Sequence, residues 1–159
     1  MSAEGGSRMT PRKLFRTLAL AEAVTWTLLI AALVLKYGFD NERFSPIAGG
    51  LHGFVFLSYG VVTLFVWANQ KWPARTGILG LVTTVIPWAT IPFEKSVDRR
   101  GMLKGGWRMA PGGEEPTNGV DRIAALVLRR PVAAGIVALV AVAVVFSVLL
   151  YLGPPVQLG

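Results

Sequence analysis

Four apolar stretches, 14–35, 47–68, 76–93 and 132–152, are separated by two short polar connections and one long one. Each is close to the roughly 20 apolar residues that a helix needs to cross a bilayer. The pattern predicts an all-α, polytopic membrane protein with four transmembrane helices, the third of them kinked, and a long loop before the fourth. A helix in a soluble core does not carry a charge-free run like 132–152. The chain divides into a flexible N-terminal segment, 1–13, and a three-helix membrane core, 14–93. A polar, Gly-rich loop follows at 94–131, then the fourth helix at 132–152 and a C-terminal tail at 153–159.

Local signals refine this outline. Pro11 suits the first turn of a helix, and Lys36 with Tyr37 forms an interfacial anchor at the other end of the first stretch. A basic segment precedes that stretch, as in a signal peptide. The apolar run is too long for one and lacks a small-residue cleavage site, so it reads as an uncleaved helix. Gly49 and Gly53 stand four apart on the second helix, where a neighbouring backbone can approach closely. Trp67 and Trp72 bracket its far end. Pro87 and Pro92, with Trp88 between them, interrupt the third stretch, so a kink or broken end is expected; a re-entrant segment is the alternative. Within the long loop, Val120, Ile123, Ala124 and Val127 share a helical face and predict a short interfacial helix.

Charge complicates the orientation. Arg8, Arg12, Lys13 and Arg16 precede the first helix and favour a cytoplasmic N-terminus. Four spans would then leave eight Lys and Arg of the 94–131 loop outside, whereas the opposite orientation counts ten basic residues inside against six. The first helix tips the reading towards N-terminus inside; a re-entrant third segment would resolve the conflict differently. The net charge of +7 lies almost entirely between or outside the apolar stretches. It points to anionic lipid headgroups rather than nucleic acid, for which no aromatic-interleaved basic groove is present.

The chain has no Cys and one His. Thiolate metal sites, iron–sulfur clusters, bis-histidine haem and His-cluster metal sites are therefore outside its repertoire, and no cofactor is expected. Three intramembrane polar residues remain as candidates: Glu22, His52 and Tyr59. Glu22 is the only carboxylate within a span, and such a group should face protein, water or a partner. It reads either as a proton or ion ligand or as a structural carboxyl bonded to a neighbouring helix, with Thr25 or a group on the second helix as its partner. Antiparallel packing is expected to put His52 nearer the opposite membrane face, away from Glu22. Tyr59, two turns on, either extends a polar seam with Ser58 or fills an interface. The long loop offers a partner-docking patch of Met102, Leu103, Trp107 and Met109, ringed by Arg99, Arg100, Lys104 and Arg108. With so few apolar anchors it is expected to order only on a partner. No residue stands out as catalytic.

Several short segments fall together in order and spacing: Leu14-Phe15-Arg16, Glu22-Ala23-Val24-Thr25, Leu35-Lys36-Tyr37, Gly50-Leu51-His52-Gly53 through Phe56, Tyr59, Trp72 and Pro92-Phe93. Over residues 14–103 they resemble the YdzA-like family of small bacterial integral membrane proteins, a domain-of-unknown-function family. Ala23, Val34 and Glu94 depart from its usual Gly, Pro and Gly. The resemblance implies a multi-pass protein of the bacterial plasma membrane and no catalysis. The extended form also resembles a small accessory subunit of actinobacterial cytochrome c oxidase. That resemblance implies a non-catalytic structural subunit whose partners are other membrane subunits of the oxidase and its cytochrome bcc supercomplex. The alternatives are a small transporter or channel component that uses Glu22 and His52, and a membrane-bound sensor or assembly factor.

Overall fold

A computed structural model describes residues 9–153, so the tail at 154–159 and the first eight residues of the N-terminal segment lie outside the described residues. The described residues are helical without a strand: α1 (Pro11–Phe39), α2 (Ser45–Asn69), α3 (Ala74–Val82), a 3₁₀ turn (Thr83–Val85), α4 (Thr90–Arg99), α5 (Gly119–Arg129) and α6 (Pro131–Leu152). Pro stands in the first turn of α1, α2 and α6, where its missing N–H would have no intrahelical partner. Thr10 caps α1 by accepting from the Lys13 N–H at 3.2 Å. Asp40, in the left-handed conformation at φ 53°, ends it.

Three helices, α1, α2 and α6, are long and apolar enough to cross a membrane. The third apolar stretch is not among them. It is broken into α3, the 3₁₀ turn and α4, and its contacts show that it doubles back. Along α3, Gly77 lies against Trp67, Gly80 against Thr63, and Thr83 beside Tyr59, so α3 ascends antiparallel to α2. Along α4, the Thr90 hydroxyl donates to the Ala19 carbonyl at 3.0 Å, Glu94 pairs with Arg16 at 3.0 Å, and Asp98 pairs with Arg12 at 2.6 Å. α4 therefore descends α1 to the end from which α3 started. Gly77 has a specific role here, since a Cβ on it would fall 2.0 Å from the Trp67 ring.

The reversal is set at Pro87. Ile86 precedes Pro87 and is extended (φ −110°, ψ 117°), as a pre-proline residue prefers. Trp88 then turns the chain at φ 62°, an uncommon conformation for a bulky residue. The bend is held by the Trp88 indole, which donates to the Thr27 hydroxyl at 2.9 Å, and by the Trp26 indole, which donates to the Thr84 carbonyl at 3.1 Å. Counted from Arg16 at 1.5 Å per residue, Thr27 lies about 16 Å along α1, near the middle of a hydrocarbon core about 30 Å thick. The hairpin turn therefore lies about half a core thickness from the end at which both of its arms sit.

α6 runs antiparallel to α2, with Phe146 seated at Gly50 and Gly53 near the start of α2. The glycine pair expected to admit a backbone, Gly49 and Gly53, does not act as a pair. A Cβ at Gly49 would meet nothing, whereas one at Gly53 would come 3.0 Å from the Phe146 ring. An aromatic side chain, not a helix backbone, fills that notch.

The half-crossing hairpin changes the charge count. Among the described residues, only Lys36 and Arg43 lie at the α1–α2 turn end, where Asp40 and Glu42 accompany them. Every other described Lys and Arg, including those of the 94–118 segment, gathers at the opposite end. The conflict over orientation came from treating the third stretch as a crossing. The expected topology is cytoplasmic for residue 9, for the 94–118 segment and for α5, with residue 153 outside. Because the chain has no Cys, single cysteines at 43, 104 and 153 can be labelled with an impermeant maleimide in intact cells. Labelling at 43 and 153 but not at 104 is expected; labelling at 104 alone would reverse the topology.

Candidate functional site

The predicted intramembrane polar residues come together in one seam. Glu22 is fully buried, His52 and Thr25 are buried, and Tyr59, Thr63, Thr83, Thr84 and Thr90 line the same interior. The Thr25 hydroxyl lies 3.1 Å from His52 Nδ1 and donates to the Glu22 backbone carbonyl at 3.0 Å. Thr25 thus links the Glu22 backbone to the His52 ring, and the donor within the Thr25–His52 pair depends on the His52 tautomer. The Trp26 ring centroid is 4.5 Å from that of His52. His52 is thus one helical turn from Glu22 along α1, closer than antiparallel packing alone suggested. The α1–α2 turn is short, and α2 pairs with α1 along most of its length.

Thr25 therefore bonds the backbone of Glu22, not its carboxylate. Neither Glu22 Oε1 nor Oε2 meets a hydrogen-bond donor among the described residues. Tyr59 joins the seam through Thr83, 3.4 Å from its hydroxyl, while Ser58 turns to the Phe54 carbonyl of its own helix. The Thr83 hydroxyl also donates to the Gly80 carbonyl at 2.7 Å. The hairpin threonines were not singled out from the sequence. Their spacing (Thr83, Thr84, Thr90) carries a signal only once the reversal at Pro87 puts them on α1 and α2.

The long loop is folded onto the bundle. Trp107 donates to the Met9 carbonyl at 2.7 Å, and its ring centroid lies 5.2 Å from that of Phe65 in a tilted arrangement. Leu103 and Met109 are buried, and the Trp72 indole donates to the Met102 carbonyl at 3.0 Å. The four apolar residues expected to form a docking patch are thus engaged within the chain. Arg108 explains much of this order. Its guanidinium reaches the Asn69 carbonyl at 2.6 Å and the Ala68 carbonyl at 3.4 Å, satisfying the C-terminal end of α2. It also binds Asp121 at 2.5 Å and Glu114 at 3.0 Å. That guanidinium, with further bonds from Thr117, holds the Asp121 carboxyl down to about 2. Asn118 accepts from the Asp121 N–H at 2.9 Å and caps α5, the helix anticipated at the interface. Arg99 and Arg100 bond only their own helix, to Lys95 and Ser96. With Lys104 they remain at the basic end, free of ion pairs among the described residues.

No group of three or more His, Cys, Asp or Glu side chains that could hold a metal ion occurs among the described residues. What the fold defines is a multi-pass membrane protein with a buried polar seam and a helical hairpin that doubles back beside α1 and α2. Residues 12–99 match the family described as "Domain of unknown function (DUF3817)", and the chain belongs to that family. It is similar to SCO5905 of Streptomyces coelicolor, named as a membrane protein, at 38% identity over 101 residues. That match covers 62% of this chain but only 12% of the much longer relative. It is also similar to the membrane protein YdzA of Bacillus subtilis, at 25% identity over 55% of this chain and 93% of YdzA. No solved structure matches it significantly.

Proposed function

We propose that the chain is a non-catalytic accessory subunit of the bacterial plasma membrane, without a cofactor of its own, that packs against other membrane subunits. The observation that carries this reading is how the matched segment is distributed. It makes up 93% of YdzA and 12% of SCO5905. A unit that occurs both nearly alone and inside a much longer chain behaves as a self-contained module working beside other polypeptide. α6 supports the same reading. Its one buried residue is Val142, so most of its circumference is open to lipid or to a neighbouring helix, and Val/Leu surfaces serve either. Cytochrome c oxidase and its cytochrome bcc supercomplex are the partners to which the resemblance of the extended form points. Arg99, Arg100 and Lys104 would face acidic partner residues or lipid phosphates at the basic end.

Purification from native membranes in mild detergent, with mass spectrometry of what accompanies the chain, tests the proposal. Redox subunits in fixed ratio are expected. A chain that purifies alone and conducts ions in liposomes would replace the accessory role with that of a transporter.

A further inference from the structure

α5 carries two apolar faces, and the bundle uses one of them. Ala124 and Ala125, with Leu128, pack with Phe65 of α2 and Met109 of the loop. Val120, Ile123 and Leu126 turn away from that contact and stay 56%, 65% and 62% exposed. Spaced by three, they form one stripe along the helix. Arg122 and Arg129, seven residues apart, share a line on the remaining side at about 3.6 residues per turn. Arg130 follows at the joint with α6. All three arginines are exposed, and none has an ion pair among the described residues. The one acidic side chain of α5, Asp121, is buried against Arg108. The outward surface of the helix is therefore aliphatic and basic.

The position of α5 decides what meets this surface. Its first turn is tied through Asp121 and Arg108 to the Ala68 and Asn69 carbonyls at the end of α2. Its last turn leads directly into α6. Pro131 stands fifteen residues before Phe146, which is seated at Gly53, and fifteen residues along α2 from Gly53 is Ala68. Both ends of α5 thus lie level with the end of α2, so α5 runs across that end rather than along the bundle. Because α2 and α6 are long and apolar enough to cross a membrane, this level is that of the lipid headgroups at the basic end.

We propose that the outward face of α5 docks on anionic phospholipids of that leaflet, with Val120, Ile123 and Leu126 among the upper acyl carbons and Arg122, Arg129 and Arg130 on the phosphates. A helix with an aliphatic face and an arginine face holds a membrane surface through apolar burial and charge together, and each arginine near an anionic surface adds to that hold. A protein partner fits less well. Protein interfaces are anchored by Trp, Tyr and Arg seated in pockets, with Leu and Val under-represented. This stripe is wholly aliphatic, and its arginines stand beside it on open surface.

The test uses the full chain in nanodiscs of phosphatidylcholine alone and of phosphatidylcholine mixed with phosphatidylglycerol, read by hydrogen exchange of the α5 amides. With phosphatidylglycerol, wild-type exchange should slow on the order of tenfold, because attraction to the anionic surface holds the docked helix against local opening. The double variant Arg122→Gln, Arg129→Gln should lose that difference and keep the phosphatidylcholine rate. Ile123→Ser should exchange faster than wild type in both lipids. Equal wild-type exchange in the two lipids overturns the proposal, as does a lipid difference that survives in the double variant. Protection of α5 in native membranes but in neither nanodisc also overturns it, and gives the surface to an acidic protein partner. Should a variant fail to fold, the wild-type comparison between the two lipids still decides.

Discussion

Replacing Phe15 with Ala should destabilise the protein by about 3–5 kcal/mol, the range for emptying a fully packed aromatic position. Phe15 is completely buried. Its ring lies 5.5 Å from Tyr59 of α2, 5.5 Å edge-on from Trp72 and 6.1 Å from Phe93 of α4. One side chain on α1 thus joins α2, the connection after it and the returning arm of the hairpin. Helices within lipid gain little from the hydrophobic effect, so interlocking contact of this kind carries more of the association. Phe15→Leu keeps most of the volume and should cost much less, on the order of 1 kcal/mol. Equilibrium unfolding in mixed micelles, read by tryptophan fluorescence, measures both. A loss under 1 kcal/mol for Phe15→Ala would mean that the hairpin is held by its polar bonds instead.

Arg108→Ala should release the loop. The substitution strips the cap from the end of α2 and leaves Asp121 buried without its cation. Cleavage within 104–118 by a site-specific protease should rise on the order of tenfold or more, since local opening governs the rate. The pH dependence has a definite sign. The Asp121 carboxyl titrates lower in the folded chain, at about 2, than in the unfolded chain. Its contribution is therefore complete above the ordinary aspartate range, near pH 4, and is lost as pH falls from there towards 2. Wild-type loop protection should hold from neutral pH to about pH 4 and fade as the pH falls from there towards 2. Arg108→Ala should be unprotected throughout. Protection of Arg108→Ala equal to wild type would remove the arginine from its place as the loop's anchor.

The crossing helices were legible because hydrophobicity over some twenty residues is a strong, local signal; α1, α2 and α6 fall where the apolar runs lie. The third run looked alike by the same measure, yet it doubles back. What distinguishes it is Pro87 and the turn at Trp88, a local feature whose consequence depends on Thr27 and Trp26 of another helix being in reach. Glu22, His52 and Tyr59 could be singled out by type. Their convergence could not, because the register between α1 and α2 is set by packing, and the hairpin threonines are unremarkable until the chain reverses. The order of the loop was hidden for a related reason. Counting its apolar residues gave too little to order it, while Arg108, which looked like one of several surface charges, is the residue that fastens it to the end of α2.

The half-crossing hairpin also constrains the order in which the chain can be assembled during synthesis. Its turn carries backbone groups and threonine hydroxyls that lipid cannot satisfy. Their partners, the Ala19 carbonyl, the Trp26 indole and Tyr59, are on α1 and α2. Residues 76–93 therefore cannot settle in the bilayer until those two helices have left the insertion machinery and paired. The turn between them is short enough for that to happen first. The segment then enters a groove made of protein rather than lipid, and α6, emerging after it, closes over α2 with Phe146. The third apolar stretch thus joins the protein by a docking step rather than by a passage across the membrane.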